Sequence, residues 1–180
     1  MASMRWPYPS PAGPPAGEPG GSGATAPGAA PGRTPTAPAP VTGAQAKSSA
    51  QRLLGTKDVL TVKRTAGAVV YADRKAWRRG LTASGKKPAL VVTCPSGCEV
   101  DSSARLELSR GVKAKGSAVR RLARQSGVAR GDQAFAVRLR PGRTDLARLR
   151  KARTARAAFE LTISGPGTTG KTTLRAAVRR

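Results

Sequence analysis

Two cysteines, one glycine- and threonine-rich loop and nine scattered carboxylates are the groups in this chain that could do chemistry. Cys94 and Cys98 stand on either side of Pro95-Ser96-Gly97. Thiolates this close on a turn can form half of a zinc site, but a structural zinc takes four ligands, and the chain has no histidine and no third cysteine. A thiol redox centre usually places C-x-x-C at the start of a helix, and C-P-S-G-C differs in both spacing and context. In an oxidising compartment, a disulfide across a turn bent by Pro95 and Gly97 fits best, with metal half-site and redox centre as the weaker alternatives. Closing so short a loop stabilises by about 2 kcal/mol through chain entropy.

Gly165 to Thr172 reads G-P-G-T-T-G-K-T and satisfies the phosphate-loop pattern G-x-x-x-x-G-K-[ST]. Such a loop must run into a helix within a parallel sheet whose later strand carries an Asp for magnesium. Only eight residues follow Thr172, so the expected structure is a hairpin turn and no nucleotide cofactor is expected. With no His there is no Ser-His or Cys-His nucleophile pair. Glu99, Asp101 and Glu107 fall on the outward face of one strand, where surface Arg should pair with them. The chain is expected to be a non-enzyme, with no cofactor and no metal.

The elements that hold these groups come from periodicity. Val100, Ser102, Ala104, Leu106 and Leu108 alternate with Glu99, Asp101, Ser103, Arg105 and Glu107, the period of a strand with one dry face. Leu90 to Cys94 is the strand before it. Residues 58–63 and 67–72 are rich in β-branched residues, and Phe135, Val137 and Leu139 share a face in 133–140. So do Ala155, Ala157, Phe159, Leu161 and Ile163, and then Leu174, Ala176 and Val178, with a turn over 164–171 between them. Residues 74–87 read as a basic connector with Trp77 packed over the core edge. Ser117 to Arg124 has apolar Val119, Leu122 and Ala123 at helical spacing, and Thr144 can cap a helical turn presenting Leu146 and Leu149. Six or seven short strands separated by turns predict an antiparallel sandwich.

Of the 180 residues, those before position 51 differ in kind: eleven of the fifteen prolines lie in residues 1–40 among Ala, Gly, Ser and Thr. Such a stretch is expected to be a disordered or partly polyproline arm, with Trp6-Pro7-Tyr8-Pro9 as its tip. The predicted domains are thus an arm over 1–50 and a basic β-sandwich over 51–180. The arm carries Arg5, Arg33 and Lys47 against Glu18, a net of +2, which leaves +22 of the formal +24 to the domain. A field of that sign attracts polyanions, such as nucleic acid or an acidic envelope polymer. Arg78, Arg79, Arg120, Arg121, Arg148, Arg150 and Lys151 are the candidate contacts. The six aromatic residues leave few rings for base stacking, and no nucleic-acid-binding motif is visible. No apolar run is long enough to span a membrane, and no signal-peptide pattern is visible behind Met1.

The run Leu90 to Val100, with Arg78-Arg79-Gly80-Leu81 before it, resembles a Cys-Pro-x-x-Cys immunoglobulin-like β-sandwich module of secreted and cell-surface actinobacterial proteins. Ala104 to Leu108, Val137 to Leu139, Leu146 to Ala152, Phe159 to Ile163 and Thr173 to Val178 extend the resemblance across 78–180. It implies an all-β, immunoglobulin-like antiparallel sandwich with one or two short helical turns, a Cys94–Cys98 disulfide, and an extracellular or cell-envelope role as a spacer or adhesion domain. The partner would be an anionic envelope polymer or another protein. The competing expectation is a cytoplasmic basic protein that holds nucleic acid non-specifically through surface Arg and Lys.

Overall fold

The computed structural model describes residues 42–109 and 117–179, which form ten strands and three helices. The first element, helix α1 (Gly43–Leu54), opens with a capping box: the Thr42 hydroxyl accepts the Gln45 amide, and the Gln45 side chain accepts the Thr42 amide. Gly55 closes it in the left-handed conformation. Ala46, Ser49, Ala50 and Leu54 recur at helical spacing and are buried. The boundary expected at residue 51 therefore falls inside a helix. Residues 43–50 continue the small-residue composition of the arm, so their apolar stripe is faint in sequence. The arm up to residue 41, with Trp6 and Tyr8, lies outside the described residues.

Strands β1 (Val59–Thr65) and β2 (Ala68–Asp73) form a hairpin, followed by helix α2 (Arg74–Arg79), β3 (Leu81–Thr82), β4 (Pro88–Thr93) and β5 (Cys98–Ser109). Then come β6 (Ser117–Arg121), β7 (Gln125–Ala129), β8 (Phe135–Arg138), helix α3 (Arg143–Lys151), β9 (Thr154–Gly165) and β10 (Thr168–Arg179). One sheet has the order β1-β2-β4-β8; the other runs β3-β10-β9-β5-β6, with β7 also on β5. The fold is an all-β sandwich, as the alternation predicts. All pairings are antiparallel except the two-residue β3–β10 contact, which is parallel.

Between the sheets lies the apolar layer. Cys98, Val100, Ser102, Ala104, Leu106 and Leu108 are buried in turn along β5. They share the layer with Phe159, Leu161 and Ile163 of β9 and Leu174, Ala176 and Val178 of β10, opposite Val70, Leu90, Val92 and Val137. Each such large side chain withdrawn from water contributes about 1.5–3 kcal/mol. Trp77 packs half-buried against this core, as expected. A second, smaller cluster lies on the back of the four-stranded sheet, where Ala50 and Leu54 of α1 cover Val59, Tyr71 and Val91. The sequence reading contained no such third layer.

Three further expectations change. Ser117 to Arg124 is not a helix: β6 pairs with Arg105 to Ser109 and β7 with Cys98 to Ser102. Three residues, 122–124, stand opposite two, 103 and 104, so the two strands form one edge strand interrupted by a bulge. A run this short fits either period, and the open edge of β5 decided it. Residues 74–87 are not a plain connector, since Asp73 caps α2 through the Ala76 amide at 2.8 Å. Finally, the turn expected over 164–171 shrinks to Pro166-Gly167, because Thr168 already pairs with Gly165. Pro holds φ near −65° and Gly167 has φ +73°, the pair of a type II turn.

Candidate functional site

The strands run between two ends of very different chemistry. At one end the chain crosses from the four-stranded to the six-stranded sheet through Cys94-Pro95-Ser96-Gly97-Cys98. Gly97 and Gly131 both donate their amides to the Cys94 carbonyl, at 3.1 and 3.3 Å, so the β7–β8 connection is tied to the cysteine turn. Gly67 of the β1–β2 turn and Gly165 at the end of β9 pack beside Ser96 and Cys98. Both cysteines are buried and unbonded to each other in this structure. They touch: burial first, and then a hydrogen bond to Cys94, push the Cys98 thiol above its ordinary pKa. Proximity is therefore supplied by the fold, whereas joining the sulfurs also requires an oxidant.

One flank of the sandwich, between β7 and β8, is closed by two contacts. The Gln125 side chain donates to the Arg138 carbonyl at 2.6 Å and accepts the Arg138 amide at 3.0 Å, doing for β7 and β8 what a strand pair would do. The Phe135 ring lies over Gly127, where a Cβ would stand 2.5 Å from it, so the close approach requires glycine.

At the opposite end the connections are long and basic. Residues 74–87, between β2 and β4, carry Arg74, Lys75, Arg78, Arg79, Lys86 and Lys87 and no acid. Residues 139–153, between β8 and β9, carry Arg140, Arg143, Arg148, Arg150, Lys151 and Arg153 against Asp145. The acids nearby are engaged: Asp58 with Arg74 at 3.0 Å, Asp73 at the α2 cap, and Asp145 with the Gly142 amide at 3.3 Å. The cysteine-end connections, 66–67, 94–97, 130–134 and 166–167, hold only Arg130 and Asp132.

Among the seven sequence-predicted contacts, Arg78 and Arg79 are exposed on α2, and Arg148, Arg150 and Lys151 are exposed on α3, all at the basic end. Arg120 and Arg121 do not join them. They sit on the edge strand β6 and point to opposite faces, Arg120 beside Leu106 and Arg121 beside Arg105. The sequence reading missed Arg74, Lys75, Lys86, Lys87, Arg140, Arg143 and Arg153. The signal was available in connection parity: in a sandwich of antiparallel hairpins, alternate connections fall at alternate ends.

On the outer face of the six-stranded sheet Asp101 and Glu107, two of the three carboxylates expected to do so, lie against arginine. Arg105 lies 3.0 Å from Glu160 and 3.8 Å from Glu107, and Arg124 from the bulge holds Asp101. These pairs are solvent-exposed and contribute little stability each. Gly165 to Thr172 leaves its turn as a strand, so its amides lie along a ladder instead of converging at a helix N-terminus. Among the described residues, no three His, Cys, Asp or Glu side chains gather into a metal-binding group, and no helix is long and apolar enough to cross a membrane. Comparison with protein-family models, with curated proteins and with solved structures finds no match.

Proposed function

We propose that the chain is a non-catalytic module of the cell exterior or envelope, a spacer or adhesion domain that meets an anionic envelope polymer or an acidic protein through its basic end. The observation that carries this reading is the segregation of charge: twelve basic residues against one acid in two connections at one end, and one of each sign at the other. A compositional bias toward Arg would enrich both ends alike, whereas a contact surface concentrates charge where the partner sits. The resemblance to Cys-Pro-x-x-Cys modules supports export. The touching thiols support a disulfide formed there, one that would join the sheets where the chain passes between them. The test is the mass of the native protein from secreted and cytosolic fractions, taken without reductant. Oxidised protein outside the cell is the expected result, and thiol-form protein confined to the cytosol overturns export.

The same basic end favours a second reading, non-specific nucleic-acid binding in the cytoplasm. Fluorescence anisotropy with duplex DNA separates the two, because contacts to phosphate alone weaken steeply with salt. Loss of binding by physiological salt is the expected result. Tight binding that persists there favours the nucleic-acid reading.

A further inference from the structure

At the edge of the basic end a cleft of about 270 Å³ opens where α1, α2 and the β3–β4 loop meet. Its floor is apolar: Leu54 from the end of α1, Ala76 from α2, Leu81 from β3 and Ala89 from β4. Leu54 belongs to the cluster under α1, and Leu81 and Ala89 belong to the sandwich core, so the cleft marks the seam between the two cores. The rim is different in kind, with Lys86 and Lys87 exposed beside the Ser84 hydroxyl. Arg140 packs against Gly85 of the same loop and adds to the positive field. The one acid in the lining, Asp73, has an oxygen committed to the Ala76 amide at 2.8 Å.

An apolar floor under a cationic rim offers a hollow as well as charge. We propose that this cleft is a binding site for a small carboxylate carrying a short aliphatic chain, such as an acylated aliphatic amino acid or the C-terminus of a peptide ending in one. The chain enters the hollow over Leu54, Ala76, Leu81 and Ala89, and the carboxylate stays at the mouth between the two lysines. The volume lies just below the usual range for small-molecule sites, about 300–1,000 Å³, which limits the occupant to a few aliphatic carbons and its head group. The head group is held in water-exposed surroundings, so affinity is modest and charge adds preference. The proposal is independent of the polyanion reading: either can hold without the other.

The test is an NMR titration of the full chain with hexanoate, using hexanamide as the neutral isostere. Saturable shifts at Leu81, Lys87 and Ala89 are expected, with hexanoate preferred by about five- to tenfold. The K86Q/K87Q double variant, altered only at exposed positions, should lose that preference. Ala76→Leu, which fills the hollow from a helix that tolerates Leu, should remove binding of both compounds yet leave retention on a cation exchanger unchanged. Conversely, R148Q/R150Q/K151Q should weaken retention and leave the hexanoate shifts intact. Absence of saturable shifts, equal response to the two compounds, or a preference that survives K86Q/K87Q overturns the proposal. Should Ala76→Leu fail to fold, the lysine variant and the amide comparison still decide it.

Discussion

The two ends of the sandwich solve opposite problems. At the cysteine end the connections are short: Ala66-Gly67 and Pro166-Gly167 turn the chain in two residues each, and the cysteine turn is held by amides from two directions. Arg130 and Asp132 are the charged residues of those connections. At the basic end the connections 74–87 and 139–153 run for a dozen residues or more, each includes a helix, and their cations point outward. Short turns locked by neighbours determine how the sheets meet, and long exposed connections are free to carry contacts without disturbing the core. One end is packed around short turns, and the other holds exposed cations on long connections.

The largest effect should come from the charges. Neutralising Arg78, Arg79, Arg148, Arg150 and Lys151 together to Gln should weaken polyphosphate binding by at least about a hundredfold at low salt, and lower the salt slope by about one unit for each residue that contacts phosphate. Arg130→Gln with Lys171→Gln, away from that end, is the control and should change little. Equal losses in the two variants would break the comparison, and titration calorimetry across a salt series reads both.

Packing should show the reverse asymmetry. Gly127→Val drives a side chain into the Phe135 ring and should destabilise by about 1–3 kcal/mol in urea unfolding. Arg148→Ala on the exposed face of α3 should stay within about 0.5 kcal/mol of the parent.

The smallest effect concerns the thiols. Oxidation of Cys94 and Cys98 should raise stability by about 2 kcal/mol at most, seen as a shift of the unfolding midpoint on adding reductant. The reduced protein should also respond to pH. Because burial raises the folded-state pKa of Cys98, its contribution is fully present below the unfolded thiol value, about 8.5, and is lost as pH rises from there toward the folded value. Comparing urea midpoints at neutral and alkaline pH for the reduced protein and for Cys98→Ala checks this. A reduced protein whose alkaline loss matches that of the alanine variant would remove the thiol from the account.

Strand patterning was legible because period-two alternation is a local property. From Val100 to Leu108 and from Leu174 to Val178 each buried residue is two positions from the next, and Ala157, Phe159, Leu161 and Ile163 keep the same spacing although Ala158 is buried as well. Leu146 and Leu149 marked α3 in the same way, by helical spacing. Helix α1 was missed although Thr42, Gln45 and Gly55 mark its ends, because its buried face is mostly Ala and Ser and its composition merges with the arm. Ser117 to Arg124 was misread because a short run with Val119, Leu122 and Ala123 fits either period. At the site, five of the eight arginines and lysines on α2 and α3 were legible individually, while Arg120 and Arg121 were grouped with them only by charge.

By itself the sequence determined that this is a basic all-β domain with one dry layer and two neighbouring cysteines, since alternation, charge and residue spacing are all written along the chain. Only the tertiary structure decided that the cysteines touch at the crossing between sheets, that α1 covers the back of one sheet, and that the cations of connections 74–87 and 139–153 gather at one end. Each of those depends on which strands pair and on where every second connection falls. Residues far apart in sequence supply the partners, so no local pattern contains the answer.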